Sequence, residues 1–379
     1  MQKMRGRLGV ARMAHRSFQT HAFATLVLLL GLSHTAVADR VGVPPAGKLY
    51  HGVYPGGVTG EEDDITPADV DAYESTVGKP VVWVYFSNNW YRSRAFPLST
   101  ATWIRDRGAV PFIRLMLRSS ANERRVSRER TFKLRNIIAG TLDADLQAWA
   151  LAARDFGSPL LVEYGTECNG SWFPWNARWN GGRAKRGFGD RTKFDGPERF
   201  VAAFRHIVSV MRAAGATNIT WVFHVNWDDG PPRPWNRLED YYPGDDVVDW
   251  VAISAYGPQT PMDRWLDLFA DEVDSAYPRL QSVAPTKPVI IAEFGVTAGS
   301  PLTTPEAWAG PALDNLLALT RWPAIIGFSW WNERWQNDNN PAHDTTMRVQ
   351  DIPALAQTFQ TKLQAASDHL QLTPVFVAP

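Results

Sequence analysis

Short apolar runs alternate with longer amphipathic or polar segments from residue 48 onward. The runs predict eight buried strands, at 48–53, 80–86, 109–115, from 160, and at 219–224, 247–256, 288–293 and 324–331. The segments between them predict helices at 66–76, 99–107, 141–156, 197–214, 262–276, 306–320 and 352–369. Eight strands separated by mostly helical segments indicate one α/β domain, a (β/α)8 TIM barrel.

Two of the predicted strands run into a glutamate. The run from residue 160 leads to Glu167, Asn169, Trp172 and Trp175, and the run at 288–292 closes on Glu293. Because barrel active sites lie at the carboxyl ends of the strands, we expect both glutamates on one rim. Other strand ends bring polar and aromatic candidates for sugar binding to the same rim: Trp90, His224, Trp227, Tyr256, Trp330 and Trp331.

A pair of carboxylates on one rim suits the hydrolysis of glycosidic bonds. One carboxylic acid protonates the leaving oxygen, and the other carboxylate acts as base or nucleophile at an oxocarbenium-like centre. Glu167 and Glu293 belong to the fourth and seventh strands, on opposite sides of the barrel, which leaves a sugar-sized gap. We predict a separation near the roughly 5–5.5 Å of a retaining pair, and hence retention of anomeric configuration.

The sequence around both glutamates resembles glycoside hydrolase family 26. Residues 166–175, Thr-Glu-Cys-Asn-Gly-Ser-Trp-Phe-Pro-Trp, are similar to the acid/base motif of that family, and residues 292–295, Ala-Glu-Phe-Gly, to its nucleophile motif. The family contains endo-β-1,4-mannanases, mixed-linkage β-glucanases and β-1,3-xylanases on retaining barrels. The resemblance implies that Glu167 is the acid/base and Glu293 the nucleophile, with the Tyr256 hydroxyl bonded to Glu293.

The resemblance also implies that Trp172, and either Trp330 or Trp331, line sugar subsites. Two positions depart from the family pattern: the residue before the acid/base, usually His, is Thr166, and the residue four before it, often Arg, is Glu163. Strand alternation directs Glu163 into the barrel below the site, where a buried carboxylate needs a partner. Arg114 on the third strand is the candidate.

Several residues keep two interpretations. His224 either bonds substrate or satisfies its neighbours. The arginine-rich segment 118–135 is better explained as a solvated loop than as a loop over the cleft. Cys168 has no nearby histidine in sequence and suits packing better than nucleophilic chemistry. His51 and His343 lack ligand-like spacing, so we expect no catalytic metal.

Residues 1–38 are predicted to be a signal peptide. Five basic residues precede an apolar run at 22–32, and Ala-Val-Ala at 36–38 fits a cleavage site. The run is too short for a membrane anchor. Residues 39–379 then hold 34 basic and 39 acidic residues, a net charge of −5, which is unfavourable for nucleic-acid binding. The single cysteine excludes an internal disulfide.

These features predict a secreted or periplasmic, monomeric endo-β-glycosidase that uses no cofactor. The expected substrate is β-1,4-mannan or glucomannan, with mixed-linkage β-glucan and β-xylan as alternatives. Transglycosylation is an alternative reaction. From another class, the alternative is a carbohydrate-binding barrel without catalysis, since the 17 tryptophans of the chain include many in predicted loops.

Overall fold

The computed structural model describes residues 39–57 and 62–379. The predicted signal peptide, residues 1–38, lies outside the described residues. Within the described part, no helix combines the length and the apolar character needed to cross a membrane.

Eight parallel strands form a closed barrel. In chain order they are β1 (Leu49–Tyr54), β2 (Trp83–Asn89), β3 (Val110–Met116), β4 (Leu160–Tyr164), β5 (Ile219–Asn226), β6 (Trp250–Tyr256), β7 (Val289–Gly295) and β8 (Ile325–Trp331). Each strand pairs with the next, and β8 closes the barrel on β1, with Gly327 opposite Tyr50 and Trp331 opposite Tyr54. The predicted barrel is therefore confirmed, with strand ends displaced by at most three residues.

Helices cover the outside of the barrel. They are α1 (Pro67–Val77), α2 (Leu98–Asp106), α3 (Leu134–Ile138), α4 (Asp143–Phe156), α5 (Asp195–Ala213), α6 (Phe269–Val283), α7 (Pro305–Leu317) and α8 (Pro353–Ala365). The described connection between β5 and β6 holds only a 3₁₀ helix, Leu238–Tyr241. After β8, the short strands Arg334–Trp335 and Thr345–Thr346 pair as an antiparallel ribbon beside the open end.

The helix predicted at 262–276 is wrong in its first half. Residues 262–268 are irregular, because Asp263 accepts hydrogen bonds from the backbone N–H groups of Gln259 and Thr260 and fixes a turn there. Several apolar residues of this stretch, among them Trp265, are exposed. The helix begins at Phe269 and continues past Pro278.

An aromatic layer fills the barrel near the amino ends of the strands. The Trp83 ring lies 5.9 Å from Tyr50 and 6.4 Å from Trp250 between ring centroids. Glycines make room for it: a Cβ on Gly52 would lie 2.1 Å from the indole nitrogen, and one on Gly327 would lie 2.5 Å from the ring. This layer forms an apolar floor below the polar residues at the open end.

Glu272 on α6 provides a test of the core. Its carboxylate is buried and has no basic partner among the described residues. Burial, together with Asp267 and Asp271, raises the pKa of Glu272 well above its usual value. With a raised pKa in the folded state, stability is lost as the pH rises above the unfolded pKa near 4.5.

We therefore expect Glu272→Gln to raise the free energy of unfolding by about 1–3 kcal/mol at pH 7 and to leave it unchanged at pH 4. Urea denaturation at both pH values measures this. The control is Glu306→Gln, on a partly exposed position of α7. An equal gain at both pH values would contradict the explanation.

Candidate active site

A cleft of about 820 Å³ opens at the carboxyl ends of the strands. Six of the eleven residues predicted to form the site line it: Glu167, Glu293, Tyr256, Trp172, Trp227 and Trp331. Arg118, Ala121 and Glu123 also line the cleft, so part of the arginine-rich segment lies over it. The less favoured interpretation of that segment fits the structure better.

Three of the predicted subsite tryptophans belong to the core. Trp330 packs against Phe294 and Phe359 and donates its indole N–H to the Met347 carbonyl, 2.7 Å away. Trp90 and Trp175 are buried as well. Buried rings outside the cleft cannot stack on a bound sugar, which corrects their assignment. Of the two tryptophans at the end of β8, Trp331 is the one that faces the cleft.

Asn169 holds two loops together below the cleft surface. Its side-chain amide donates to the Asn226 carbonyl at 3.0 Å and to the Asp229 carboxylate at 3.0 Å, and its oxygen accepts from the Asn226 N–H at 2.8 Å. The nitrogen and the oxygen of its side-chain amide are therefore both bonded to other groups of the protein. The structure therefore gives Asn169 a supporting position and corrects the predicted contact with substrate.

Glu167 sits in an unusual backbone conformation just beyond β4. The strand ends at Tyr164, and Gly165 and Glu167 have φ values of 75° and 48°. A left-handed conformation costs a non-glycine residue about 1 kcal/mol or more, and such strain is concentrated at functional sites. The turn aims the carboxylate at the cleft, where it accepts a 2.6 Å hydrogen bond from the Trp172 indole.

Glu293 lies within β7 and has a more cationic surrounding. It accepts hydrogen bonds from Tyr256 at 2.9 Å, the bond expected from the resemblance, and from Tyr85 at 3.1 Å. A guanidinium nitrogen of Arg114 lies 3.4 Å away. Burial, opposed by Arg114 and reinforced by the charge of Glu167, raises the pKa of Glu293 to about 7.

The two carboxyl groups interact, so their protonation is coupled. Burial also raises the pKa of Glu167, against the effect of His224 and the Trp172 N–H. The Glu293 carboxylate accepts from the Tyr256 hydroxyl and lies beside the Arg114 guanidinium, whereas Glu167 accepts from the Trp172 indole, so the surroundings favour the anion at Glu293 and the proton at Glu167. The arrangement thus supplies one acid and one carboxylate in the same cleft.

A buried polar layer lies directly beneath the pair. Glu163, with no exposed surface, accepts hydrogen bonds from Tyr85 at 2.6 Å and from the Thr166 hydroxyl, and one oxygen lies 2.8 Å from His224 Nδ1. The expected ion pair with Arg114 is present at 3.6 Å. Although burial opposes it, the charge of His224 lowers the pKa of Glu163.

His224 is an internal residue and not a substrate contact. Its Nε2 lies 2.8 Å from the Ser254 hydroxyl, and its side chain is fully buried. Burial alone would lower its pKa, but Glu163 outweighs that effect and raises it. The interpretation that His224 satisfies its neighbours is therefore the one that the structure supports.

Glu62 was not singled out from the sequence. Its two oxygens lie 3.2 Å from Arg114 and 3.0 Å from Arg118. Burial would raise its pKa, but the two guanidinium groups outweigh burial and lower it to about 2. Glu62 lies in the connection after β1, several residues beyond the strand end, and no motif included it.

Other missed residues of the cleft wall lie next to predicted strand ends. Tyr91 follows β2, Glu333 follows β8, and Trp335 lies in the ribbon beyond it. Their proximity to strand ends was a usable signal, since loops after barrel strands form the active-site face.

One group among the described residues has metal-ligand spacing: Glu163, His224 and Glu293, whose ligand atoms lie within 4.8 Å of one another. All three already accept or share hydrogen bonds within the protein. Arg114 also lies within 3.6 Å of both carboxylates and would repel a second cation. We therefore assign no metal to this group.

Part of the chain is similar in sequence to known glycoside hydrolases. Residues 122–290 match the model of glycosyl hydrolase family 26. Endoglucanase H of Acetivibrio thermocellus is 32% identical over 208 residues, 54% of this chain and 21% of that protein. The β-1,3-xylanase TXYA of a Vibrio species is 30% identical over 128 residues, 34% of this chain and 23% of that protein. The chain thus spans less than a quarter of these curated relatives.

The fold also matches solved structures. An endo-β-1,4-mannanase of Cellulomonas fimi, solved as a double mutant, superposes with a TM-score of 0.57 over 86% of this chain and 72% of that one. The sequence identity is 19%, so this likeness concerns the fold.

Replacing Glu163 with Gln tests the buried ion pair. Glu163 is the main group that raises the pKa of His224 against the effect of burial, so without its carboxylate that pKa should fall. We expect a loss of about 3 kcal/mol in the free energy of unfolding, because a partner is left buried. Nitrogen-15 NMR of labelled histidine measures the protonation, and urea denaturation measures the stability.

The control is the double variant Glu163→Gln/His224→Gln. It should be no less stable than Glu163→Gln alone, since both members of the pair are absent. Strictly additive losses would show that the two side chains act independently.

Proposed function

Because residues 122–290 match the model of glycosyl hydrolase family 26, we propose that the chain belongs to this family and that its barrel is a retaining endo-β-glycosidase. The observation that carries the proposal is that Glu167 and Glu293 line one cleft with unequal surroundings. Glu293 is next to Arg114 and two tyrosine hydroxyls, and Glu167 is next to an indole N–H. Unequal surroundings are what separate an acid from a nucleophile.

In the proposed reaction Glu293 attacks the anomeric carbon while Glu167 donates its proton to the leaving glycosidic oxygen. This forms a covalent glycosyl-enzyme and releases the aglycone end of the chain. Glu167, now ionised, takes a proton from water, which displaces Glu293 and restores both groups. Tyr256 and Tyr85 hold the Glu293 oxygens in place between the steps.

The proposed substrate is a β-linked polysaccharide, with β-1,4-mannan or glucomannan first. Trp172, Trp227 and Trp331 offer ring surfaces to sugars along the cleft. The family's usual histidine before the acid/base is replaced by Thr166, which is buried and bonded to Glu163. The contact that this histidine would make with a sugar is therefore absent. Because relatives of this chain are named endoglucanase and β-1,3-xylanase, β-glucan and β-xylan remain alternative substrates.

We also propose that the domain acts in the periplasm or outside the cell, as a monomer. The basic leader, apolar run and Ala-Val-Ala site of residues 1–38 support export. Amino-terminal sequencing of the exported protein, expected to begin at Asp39, tests it.

Replacing Glu293 tests its proposed role as the nucleophile. Wild-type protein should release reducing ends from one or more of glucomannan, galactomannan, mixed-linkage β-glucan, β-1,3-xylan and β-1,4-xylan. Glu293→Gln should lose at least about 10³-fold in kcat, because the attacking carboxylate is gone. Glu306→Gln, remote from the cleft, should retain full activity. Retained substrate binding with no turnover by wild type would instead favour a binding barrel.

The stereochemical course is followed by proton NMR of the newly formed reducing end. A retaining enzyme releases the β-anomer first, and mutarotation then produces the α-anomer. An α-anomer as the first product would exclude the proposed double displacement.

Replacing Glu167 tests its proposed role as the acid/base and the pH dependence that this role implies. With a dinitrophenyl glycoside of the sugar identified above, which needs no acid assistance, Glu167→Gln should keep kcat/KM and lose kcat, because the second step lacks its base. On the polysaccharide, whose leaving oxygen needs the Glu167 proton, wild-type kcat/KM should show an alkaline limb; on the dinitrophenyl glycoside Glu167→Gln should show none. The acidic limb, which reports protonation of Glu293, should remain.

Added azide should restore kcat in Glu167→Gln and yield a β-glycosyl azide, since azide needs no base. An α-glycosyl azide would reverse the two roles.

A further inference from the structure

Two neighbouring loops at the rim of the barrel carry a strong positive charge. Residues 118–135, after β3, contain seven basic and two acidic residues, and residues 176–194, after β4, contain six basic and one acidic residue. The loops are in contact, since Lys133 donates to the Trp179 carbonyl and the Leu134 N–H to Asn180. We call them the basic surface. It stands out because residues 39–379 have a net charge of −5.

The cations of the basic surface lack the partners that other cations have. Of its thirteen basic residues, only Arg118 lies within 4.0 Å of a carboxylate of residues 39–57 and 62–379. Fourteen of the other twenty-one basic residues of 39–379 form such ion pairs. Eleven of the thirteen are exposed. Unbalanced charge of one sign attracts ligands of the opposite sign.

The basic surface continues directly from the proposed active site. Beside the cleft is a second cavity of about 230 Å³, lined by Arg125, Arg128 and the Trp172 ring. Arg118 lines both cavities. Hydrogen bonds fix the loop at this point. The buried carboxylate of Glu129 accepts them from Ser119 and from the backbone N–H groups of Thr131 and Phe132.

We propose that the basic surface binds anionic substituents of the glycan chain, so that the natural substrate is an acidic β-glycan bearing uronate or sulfate groups. This rests on the proposed function, because the glycan has to pass through the cleft. A sugar against Trp172 would project a substituent toward Arg125 and Arg128. Glu123 and Glu129 also line the second cavity. Glu129 is compensated by its donors, so Arg118, Arg125 and Arg128 face one remaining carboxylate, that of Glu123, and positive charge is in excess.

The charge distribution also gives the proposed binding a direction. The opposite wall of the cleft, from the loops after β5 and β6, contributes Asp228 and Asp267. Acidic substituents are therefore attracted on the side of β3 and β4 and repelled on the side of β5 and β6. A glycan with acidic groups at intervals can place them on the side of β3 and β4 alone. A uniformly charged polymer would also place them against the acidic side of β5 and β6.

The test compares one backbone with and without charge. Glucomannan, its sparsely carboxymethylated form and its sparsely sulfated form are cleaved by wild type and by Arg124→Gln/Arg125→Gln/Arg128→Gln/Arg130→Gln. The matched control, Lys48→Gln/Lys79→Gln/Arg154→Gln/Lys287→Gln, removes four charges at the amino ends of the strands, on the opposite face. If mixed-linkage β-glucan or a xylan is the backbone that wild type cleaves, that backbone is derivatised in the same way.

We expect the loop variant to raise KM for the charged forms about tenfold at low salt and to leave KM and kcat for the neutral form unchanged. For wild type, KM for the charged forms should rise with salt. The control variant should match wild type. The carboxylated and sulfated arms identify which anion is preferred.

Equal KM values for charged and neutral forms, with no effect of the loop substitutions, would overturn the inference while the glycosidase stands. If wild type cleaves none of the backbones, the proposed function fails. The inference is then decided by affinity electrophoresis in gels containing the same polymers: retardation by the charged forms alone, lost in the loop variant, supports it. Equal retardation by nucleic acid would refute glycan recognition.

Discussion

The buried guanidinium of Arg114 is the interaction on which the site depends. It lies 3.2 Å from Glu62, 3.6 Å from Glu163 and 3.4 Å from Glu293. Carboxylates withdrawn from water are costly unless cations and hydrogen bonds compensate them, and Arg114 is the cation that all three share. Arg118 also lies beside Glu62, and Glu163 raises the pKa of His224 against the effect of burial. Glu167 has no guanidinium within 4.0 Å among the described residues, so of the two cleft glutamates it is better suited to hold the proton that the proposed reaction needs.

The same burial links stability to chemistry. The aromatic layer around Trp83 closes the barrel below and keeps water from the polar layer, which strengthens every charge interaction above it. The cost of burying the carboxylates and of the left-handed backbone at Glu167 is offset by the large apolar core. Removing a member of the cluster therefore affects folding as well as activity, and only measurements that separate protonation, binding and turnover distinguish the two effects.

Sequence periodicity was sufficient for the barrel and for both glutamates, because buried parallel strands are continuous apolar runs and their carboxyl ends face one rim. It was insufficient for neighbouring residues such as Trp330 and Trp331. Strand alternation places their side chains on opposite sides of β8. Which of the two faces the cleft depends on the register of the strand, and the hydrophobic pattern does not contain the register. Glu62 owes its position to tertiary contacts alone. The helix predicted at 262–276 began too early because the pattern does not show that Asp263 accepts backbone hydrogen bonds and fixes a turn there.

The two departures from the family pattern form a single structural change. The Thr166 hydroxyl donates to Glu163, so the residue before the acid/base and the residue four before it contact each other. Where the family often has a cation on β4, this chain has an anion, and the cations come from β3 as Arg114 and from β5 as His224. In this chain the positive charge beside Glu293, the proposed nucleophile, therefore comes from Arg114. Thr166 does not line the cleft, so in the proposed function more of the sugar recognition falls to the loops after β3 and β4, where arginines without carboxylate partners lie.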